Sequence, residues 1–330
     1  MLKLAYAIKR WTMVEPFIIA RRSYDYIDSV HVTLSDADGN VGRAETCGVD
    51  YHGENVDSIC AELAQARPAV QAGVCLEEVQ QLLPAGGARN GLDCALWDLL
   101  CQQGAESIWN MAGVQPAAIT RTVYTIGVVG PEHAVELALQ YADHAALKVK
   151  ADETGSLGTL QAIRAARPDV QIVIDANQSW TPELFQAVEP ELIALDIALL
   201  EQPFAVNEDD FLLGYKGSIK IAADESVQTT ADLPGLPGRY DVINLKLDKT
   251  GGLTEALKLA RAATDLGFGL MVGNMCGSSL AMAPAYVIAQ LCEFVDLDGP
   301  LLQTKDVTPG LRYEQGRITP PDTGGLWGGL

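Results

Sequence analysis

The sequence predicts an α/β protein in which an antiparallel α+β layer precedes a parallel barrel of the (β/α)8 type. Three observations carry that prediction. Residues 1 to about 115 read as strands followed by helices, the order expected of an α+β layer. From about Arg121 the rhythm changes to a strict alternation of short apolar strands with helical or loop segments. Within that alternation, five strand-like runs carry an ionisable residue at roughly 22–26-residue spacing, about one strand-plus-helix unit.

The elements follow in order. Strand patterns fall near 2–9, 15–20 and 27–35, and the Asp38-Gly39 turn into Val41–Glu45 is a hairpin signal. Helical periodicity covers 54–66 and 88–103. The second places Leu92, Ala95, Leu96, Leu99 and Leu100 on one stripe, with Asp93 and Asp98 outside it. Eight apolar strands are then expected near 121–129, 146–151, 171–176, 197–203, 219–226, 242–247, 269–274 and 293–297. Helices are clearest at 131–143, 158–167 and 253–266. A doubly wound sheet would want a glycine-rich phosphate turn after its first strand, and Gly127-Val-Val-Gly130 serves that purpose poorly.

Bulk properties narrow the function. A formal charge of −20 argues against nucleic acid or an anionic membrane as partner, because both need a basic surface. No apolar run approaches the roughly 20 residues that span a bilayer. The start, Met1-Leu-Lys-Leu-Ala-Tyr6, alternates like a strand rather than forming an apolar leader. Seven scattered cysteines without a Cys-x-x-Cys pair suit free thiols, with Cys60, Cys94 and Cys292 in apolar patterns. The expected location is the cytoplasm.

The five ionisable runs are Leu-Lys148-Val-Lys150, Ile-Val-Ile-Asp175, Ala-Leu-Leu-Glu201, Ile-Ala-Ala-Asp224 and Ile-Asn-Leu-Lys246. Each has an ordinary use when taken singly. Asp224 could cap a helix, Glu201 could open a turn before Pro203, Lys246 could snorkel, and Lys-x-Lys could be a solvated face. Taken together, successive strands supply three carboxylates between two lysine sites. Active sites of such barrels lie at the C-terminal ends of the strands, where these residues fall. Lys148 and Lys150 share a face, and their alternates Leu147 and Val149 would point outward to the helices. Three carboxylates suit a hard cation such as Mg²⁺. A divalent cation beside a substrate carboxylate favours loss of the adjacent α-proton, for which a neutral lysine is a suitable base. Bases on both faces imply racemisation or epimerisation. One base with a leaving group would imply elimination. No His-x-x-x-His pair, cysteine cluster or Gly-x-Ser-x-Gly elbow competes.

These residues resemble the enolase superfamily in its muconate-cycloisomerase-like branch; a lysine base beside Mg²⁺ is a known pattern of such sites. The resemblance covers almost the whole chain. It implies a modified TIM barrel, (β/α)7β, over 116–310, an N-terminal α+β capping domain over 1–115, and a C-terminal segment, 311–330, returning to the cap. It implies Lys150 as one base, assisted by Lys148, and Lys246 in Asn244-Leu-Lys246-Leu-Asp248-Lys249-Thr-Gly-Gly252 as the other. It further implies one Mg²⁺ held by Asp175, Glu201 and Asp224. Asp296-Leu-Asp298-Gly-Pro300 resembles the Asp-x-Asp of dipeptide epimerases, which binds a substrate ammonium. Phe17-Ile-Ile-Ala-Arg21 resembles the capping loop of L-Ala-D/L-Glu epimerases, with Arg21, or Arg22 beside it, for the side-chain carboxylate. Thr125 falls where that group has a substrate-contacting residue. The segment Gly273-Asn-Met-Cys-Gly277-Ser278-Ser279 departs from many relatives, which carry an acidic residue near Gly277.

The expected activity is Mg²⁺-dependent epimerisation of the C-terminal residue of a small dipeptide, with L-Ala-D/L-Glu favoured. The alternatives are an N-acyl amino acid racemase, and a cycloisomerase or lyase of the same branch. The implied partner is a small dipeptide, and the resemblance leaves room for a homo-oligomer.

Overall fold

The computed structural model describes residues 1–330 except Arg21 and Ala105. The N-terminal layer is an antiparallel sheet of β1 (Lys3–Ile19), β2 (Arg22–Ser35) and β3 (Val41–Thr46). It is followed by α1 (Val56–Ala72), α2 (Leu76–Leu82), α3 (Gly87–Gln102) and α4 (Ile108–Ala112). Where the sequence suggests two strands near 2–9 and 15–20, a single strand runs through. Its register against β2 breaks between Thr12 and Phe17. Pro16 lies in the break and has no N–H to give the ladder. Met13 pairs instead with Gln303, across from the cap.

Helix α3 lies so close to β3 that a Cβ on Gly42 would come 2.1 Å from the Ala95 carbonyl oxygen. Asp93 and Asp98, which lie outside the apolar stripe of the helix, are also fully buried. The helix is covered on both sides, and each carboxylate joins it to a distant segment. Asp98 accepts from Arg43 N at 2.8 Å and Gly328 N at 2.8 Å, and Asp93 accepts from Thr254 N at 3.0 Å.

After the short β4 (Thr120–Arg121), the second half forms an eight-stranded parallel sheet. In chain order it comprises β5 (Tyr124–Ile126), α5 (Pro131–Gln140), β6 (Ala146–Lys150), α6 (Leu157–Ala166), β7 (Gln171–Asp175), α7 (Pro182–Ala194), β8 (Ile197–Glu201), β9 (Lys220–Ala223), β10 (Val242–Leu245), α8 (Leu247–Thr250), α9 (Leu253–Asp265), β11 (Gly269–Val272), α10 (Ser279–Ala289) and β12 (Phe294–Val295). Val123 N donates to Val295 O at 3.0 Å, which brings the two edges of the sheet together. The result is a parallel barrel beneath an N-terminal cap.

Regular helix–strand alternation fails at two crossovers. Between β8 and β9, and between β9 and β10, the chain makes only 3-10 turns, at Asp210–Leu212 and Thr230–Gly235. The second crossover reads Leu233-Pro-Gly-Leu-Pro-Gly238, whose prolines and glycines cannot sustain an α-helix. The tail forms a hairpin of β13 (Arg312–Glu314) and β14 (Arg317–Thr319), whose second strand pairs with β4. It then reaches α3, where Trp327 Nε1 donates to Cys94 O at 3.0 Å.

Two apolar clusters separate the inside of the barrel from its surroundings. Val173, Leu199, Ala222, Val242, Met271 and Phe294 form the small inner cluster. Leu147, Val149, Ile172, Ile174 and Leu200 belong to the larger core outside the strands. Period-two alternation therefore sends residues 148, 150, 175, 201, 224, 244 and 246 inward.

Candidate active site

Stepping two residues along a strand from the inner cluster reaches the site: Val173 leads to Asp175, Leu199 to Glu201 and Ala222 to Asp224. All three carboxylates are buried at the C-terminal mouth of the barrel. Lys148 and Lys150 enter from β6, and Lys246 from the end of β10. Beta-7, β8 and β9 stand between those two strands, so the lysines approach the carboxylates from different sides.

The contacts are specific. Lys148 Nζ lies 2.9 Å from Asp175 Oδ2, 2.8 Å from Glu201 Oε2 and 2.7 Å from Asp296 Oδ2. Lys150 Nζ donates to Asp175 Oδ2 at 2.7 Å and to Asn177 Oδ1 at 3.2 Å. Lys246 Nζ donates to Asp224 Oδ2 at 2.5 Å. Two further side chains complete the array. Asn244 Nδ2 donates to Glu201 Oε1 at 2.7 Å, and Lys249 Nζ lies 2.6 Å from Asp224 Oδ1.

The electrostatics record a shortage of positive charge. Burial, then neighbouring Asp175, pushes the Glu201 carboxyl up to about 7. Burial and Asp224 push Glu225 up to about 8. Burial would also raise Asp175 and Asp224, but Lys148 and Lys150 beside the first, and Lys246 and Lys249 beside the second, hold both well below the usual carboxylate range. Burial would lower Lys246, yet Asp224 and Glu201 carry it above its ordinary value.

A divalent cation fits this donor set. Glu201 Oε2 and Asp224 Oδ1 are buried oxygens that make no well-formed hydrogen bond, even though an ammonium stands close to each. Three buried carboxylates with unused oxygen lone pairs suit a hard cation. Among the described residues, no three His, Cys, Asp or Glu groups close into a metal-ligating cluster, because the carboxylates lean onto the lysines.

Asp296 and Asp298 lie just beyond the short strand β12, in the loop before a 3-10 turn at Gly299–Leu302, rather than on the strand itself. Both are buried. Asp296 is already committed to Lys148, and Asn274 Nδ2 donates to its carbonyl at 2.8 Å. Asp298 Oδ2 accepts from Thr125 N at 2.5 Å, so the Thr125 contact found here is made by its main chain. Burial, followed by Asp296, pushes the Asp298 carboxyl up to about 8. Two adjoining buried carboxylates favour a cation between them.

Arg21 lies outside the described residues. Arg22 is paired through Nη1 with Asp50, which also accepts from Tyr24 Oη at 2.7 Å. At Gly277, φ is +101° and a Cβ would sit 3.0 Å from Ala281 Cβ and 3.2 Å from Glu45 Oε1. At this position the chain brings Glu45 from the cap, which accepts from Ser278 N at 3.2 Å. Tight backbone surrounds the same rim: Gln202, directly after Glu201, has φ +36°, and Cys276 has φ +63°.

Lys249, Asn244 and Glu225 received no role from the sequence. Lys-x-x-Lys spacing after β10 was the available signal for Lys249, which donates to three main-chain oxygens, of Asp224, Val227 and Asn244. Two clefts of about 350 and 360 Å³ open at the opposite, N-terminal end of the barrel. They contain none of the convergent lysines and carboxylates, so the chemistry belongs at the C-terminal mouth.

Comparison with known proteins agrees with this architecture. Residues 132–326 match the family described as Enolase C-terminal domain-like. Residues 2–113 match the Mandelate racemase / muconate lactonizing enzyme N-terminal domain. An L-Ala-D/L-Glu epimerase of Escherichia coli K12 is 38% identical over 93% of this chain and 96% of its own length. An N-acetyl-D-glutamate racemase of Pseudoalteromonas sp. is 42% identical over 77% of this chain and 80% of its own. The crystal structure of an enolase family member from Agrobacterium tumefaciens with homology to dipeptide epimerases has bound sodium and L-Ala-L-Glu. It superposes with a TM-score of 0.95 at 38% identity, covering 99% of this chain and 100% of that one. A dipeptide epimerase from Methylococcus capsulatus, complexed with Mg and L-Arg-D-Lys, gives a TM-score of 0.89 at 28% identity over 96% of each chain. The chain belongs to the enolase superfamily, in its mandelate racemase / muconate lactonizing enzyme family.

Proposed function

We propose that this protein is a Mg²⁺-dependent dipeptide epimerase that inverts the α-carbon of a C-terminal residue, with L-Ala-D/L-Glu as the favoured substrate. The observation that carries the reading is the approach of two buried lysines, Lys150 and Lys246, to one carboxylate cluster from opposite strands of the barrel. Asp175, Glu201 and Asp224 would hold the cation. When bound, it supplies positive charge that offsets these carboxylates and stabilises the negative charge developing on the substrate carboxylate.

The chain's own residues do the rest. Lys150 removes the α-proton from one face to give an enediolate, and Lys246 returns a proton from the other; the reverse reaction exchanges their roles. Lys148 stays charged between Asp175, Glu201 and Asp296 and holds that side of the site together. Asp296 and Asp298 receive the substrate ammonium. Arg21 is retained as the candidate for the side-chain carboxylate, and Thr125 positions Asp298. The same assignment divides the chain into a cap over 1–115, a barrel over 116–310 and a returning segment over 311–330.

A second reading has its own support. The Pseudoalteromonas relative acts on an N-acetylated glutamate, which lacks the ammonium but shares the α-proton chemistry. The test is to incubate the Mg²⁺-loaded protein with L-Ala-L-Glu, with N-acetyl-D-glutamate and with dipeptides ending in Asp, apolar or cationic residues, then separate the epimers. Faster turnover of L-Ala-L-Glu supports the proposal. Preference for N-acetylglutamate replaces it with the racemase, and product without inversion points to a cycloisomerase or lyase.

A further inference from the structure

The loop that begins at Lys246 is fastened to the cap by a group to which the reaction gives no role. Asp248 is buried two residues beyond Lys246. Its Oδ1 accepts from Thr46 Oγ1 at 2.6 Å, from Cys47 N at 2.9 Å and from Gly48 N at 2.8 Å. These donors are consecutive residues at the end of β3. Just before them, Glu45 accepts from Ser278 of the β11–α10 loop and from Trp11 Nε1 at 2.6 Å. Just after them, the Tyr51 hydroxyl is buried, where the charges of Asp224 and Lys246 act on it.

The fastening continues along the same loop. Arg89 of α3 donates to Thr250 O at 2.7 Å and Gly251 O at 3.2 Å. Gly252 passes Asp93 so closely that a Cβ there would lie 2.4 Å from its carboxylate oxygen. Lys249 points the other way and ties the loop into the barrel through three main-chain oxygens. Lys246 therefore springs from a loop gripped on one side by the cap and on the other by the barrel.

We propose that Asp248 is a positioning residue, through which the seating of the cap sets the place of the Lys246 ammonium. Removing its oxygen strands three donors and loosens the cap's hold next to Lys246, leaving Arg89 to grip only the far end of the segment. A displacement of about 1 Å at a reacting group costs on the order of 100-fold in rate. The loss should be one-sided, because Lys150 is held by the barrel alone in its own hydrogen bonds to Asp175 and Asn177. This inference rests on the two-base reading above.

The test uses the full-length Mg²⁺-loaded protein and both epimers of its substrate in D₂O. Lys246→Ala first identifies the epimer whose α-proton exchange depends on Lys246. In Asp248→Ala, exchange of that epimer should fall by about tenfold or more, and exchange of the other by less than about threefold. Asp248→Asn, which keeps an oxygen for the three donors, should bring the ratio back toward the parent value. Equal losses for both epimers, or no loss, overturn the proposal. Should Asp248→Ala fail to fold, Asp248→Ser is read in the same way. A second readout needs no substrate: amide hydrogen exchange should quicken at 46–48 and 246–250 and stay unchanged at 150–156. Unchanged protection at 46–48 overturns the anchor itself. Faster exchange there in Asp248→Ala, when the parent protein turns over no substrate, leaves the anchor standing and refutes the epimerase reading instead.

Discussion

Lys150 and Lys246 meet different members of one carboxylate cluster, Asp175 and Asp224, and the chain holds them by different means. Lys150 ends a strand whose neighbour, β7, supplies its partner, and the backbone beyond it stays within the barrel: Ala151 N donates to Asp175 O at 2.9 Å, and Trp180 Nε1 to Asp152 O at 2.8 Å. Lys246 heads a loop bound to the cap through Asp248, Thr250 and Gly251. Lys150, one base of the proposed mechanism, is thus placed by a parallel sheet that forms one body with the strands carrying Asp175, Glu201 and Asp224. The other is placed by an interface between two layers of the molecule. The barrel alone holds one edge of the candidate site, whereas the cap shares in holding the opposite edge.

The largest effect should come from removing either amine. Lys150→Ala and Lys246→Ala are each expected to slow epimerisation by about 10³-fold or more, within the range for losing a general acid–base group, as measured by separating the epimers. If only one of them matters, the symmetry of the comparison is broken and the site has a single base.

A smaller effect bears on the substrate. Asp298→Asn should raise KM for a dipeptide by roughly tenfold or more, since a charge-assisted contact to the ammonium is weakened. The same change should alter KM for N-acetylglutamate by less than about twofold. The opposite pattern would mark an N-acyl amino acid racemase. Asp296→Asn is a less clean probe because Asp296 also holds Lys148.

Stability should respond to pH in the metal-free protein. Glu201 and Glu225 have folded-state carboxyls raised to about 7 and about 8, so they keep protons that the unfolded chain releases near 4.5. The folded state then binds more protons than the unfolded state between about pH 4.5 and 8, and stability falls as pH rises through that window. Thermal melts from pH 5 to 8 in EDTA should show Tm declining, and Mg²⁺ should flatten the decline. A Tm that rises steadily over this range would contradict the charge balance assigned to the site. The smallest effect is expected at the rim: Arg22→Ala, which breaks a half-exposed pair with Asp50, should change kcat/KM by less than about threefold.

What could be read from the sequence follows the range of each interaction. The barrel strands and the inward direction of Lys148, Lys150, Asp175, Glu201 and Asp224 were legible because alternation along one strand is a local property. The loss of helix after β8 and β9 was only partly legible, through Pro234, Gly235, Pro237 and Gly238. Joining β1 across Pro16 was not, because it depends on Met13 finding Gln303 some 290 residues away. Burial of Asp93 and Asp98 was hidden for the same reason, since their partners lie on other segments of the chain. Asp248 falls between Lys246 and Lys249 in the sequence, and its contact with the end of β3 spans some 200 residues. The role of Arg21 rests on resemblance, whereas Thr125 meets Asp298 through its main-chain N–H.

Stereochemically resolved proton exchange tests the two-base claim most directly. The parent protein, Lys150→Ala and Lys246→Ala are each incubated with L-Ala-L-Glu and with L-Ala-D-Glu in D₂O and Mg²⁺, and loss of the α-proton signal is followed by NMR. The account predicts that the parent exchanges both epimers, while each variant exchanges only one of them, a different one in each case. Full epimerisation by both variants, or loss of exchange from the same epimer in both, would contradict it.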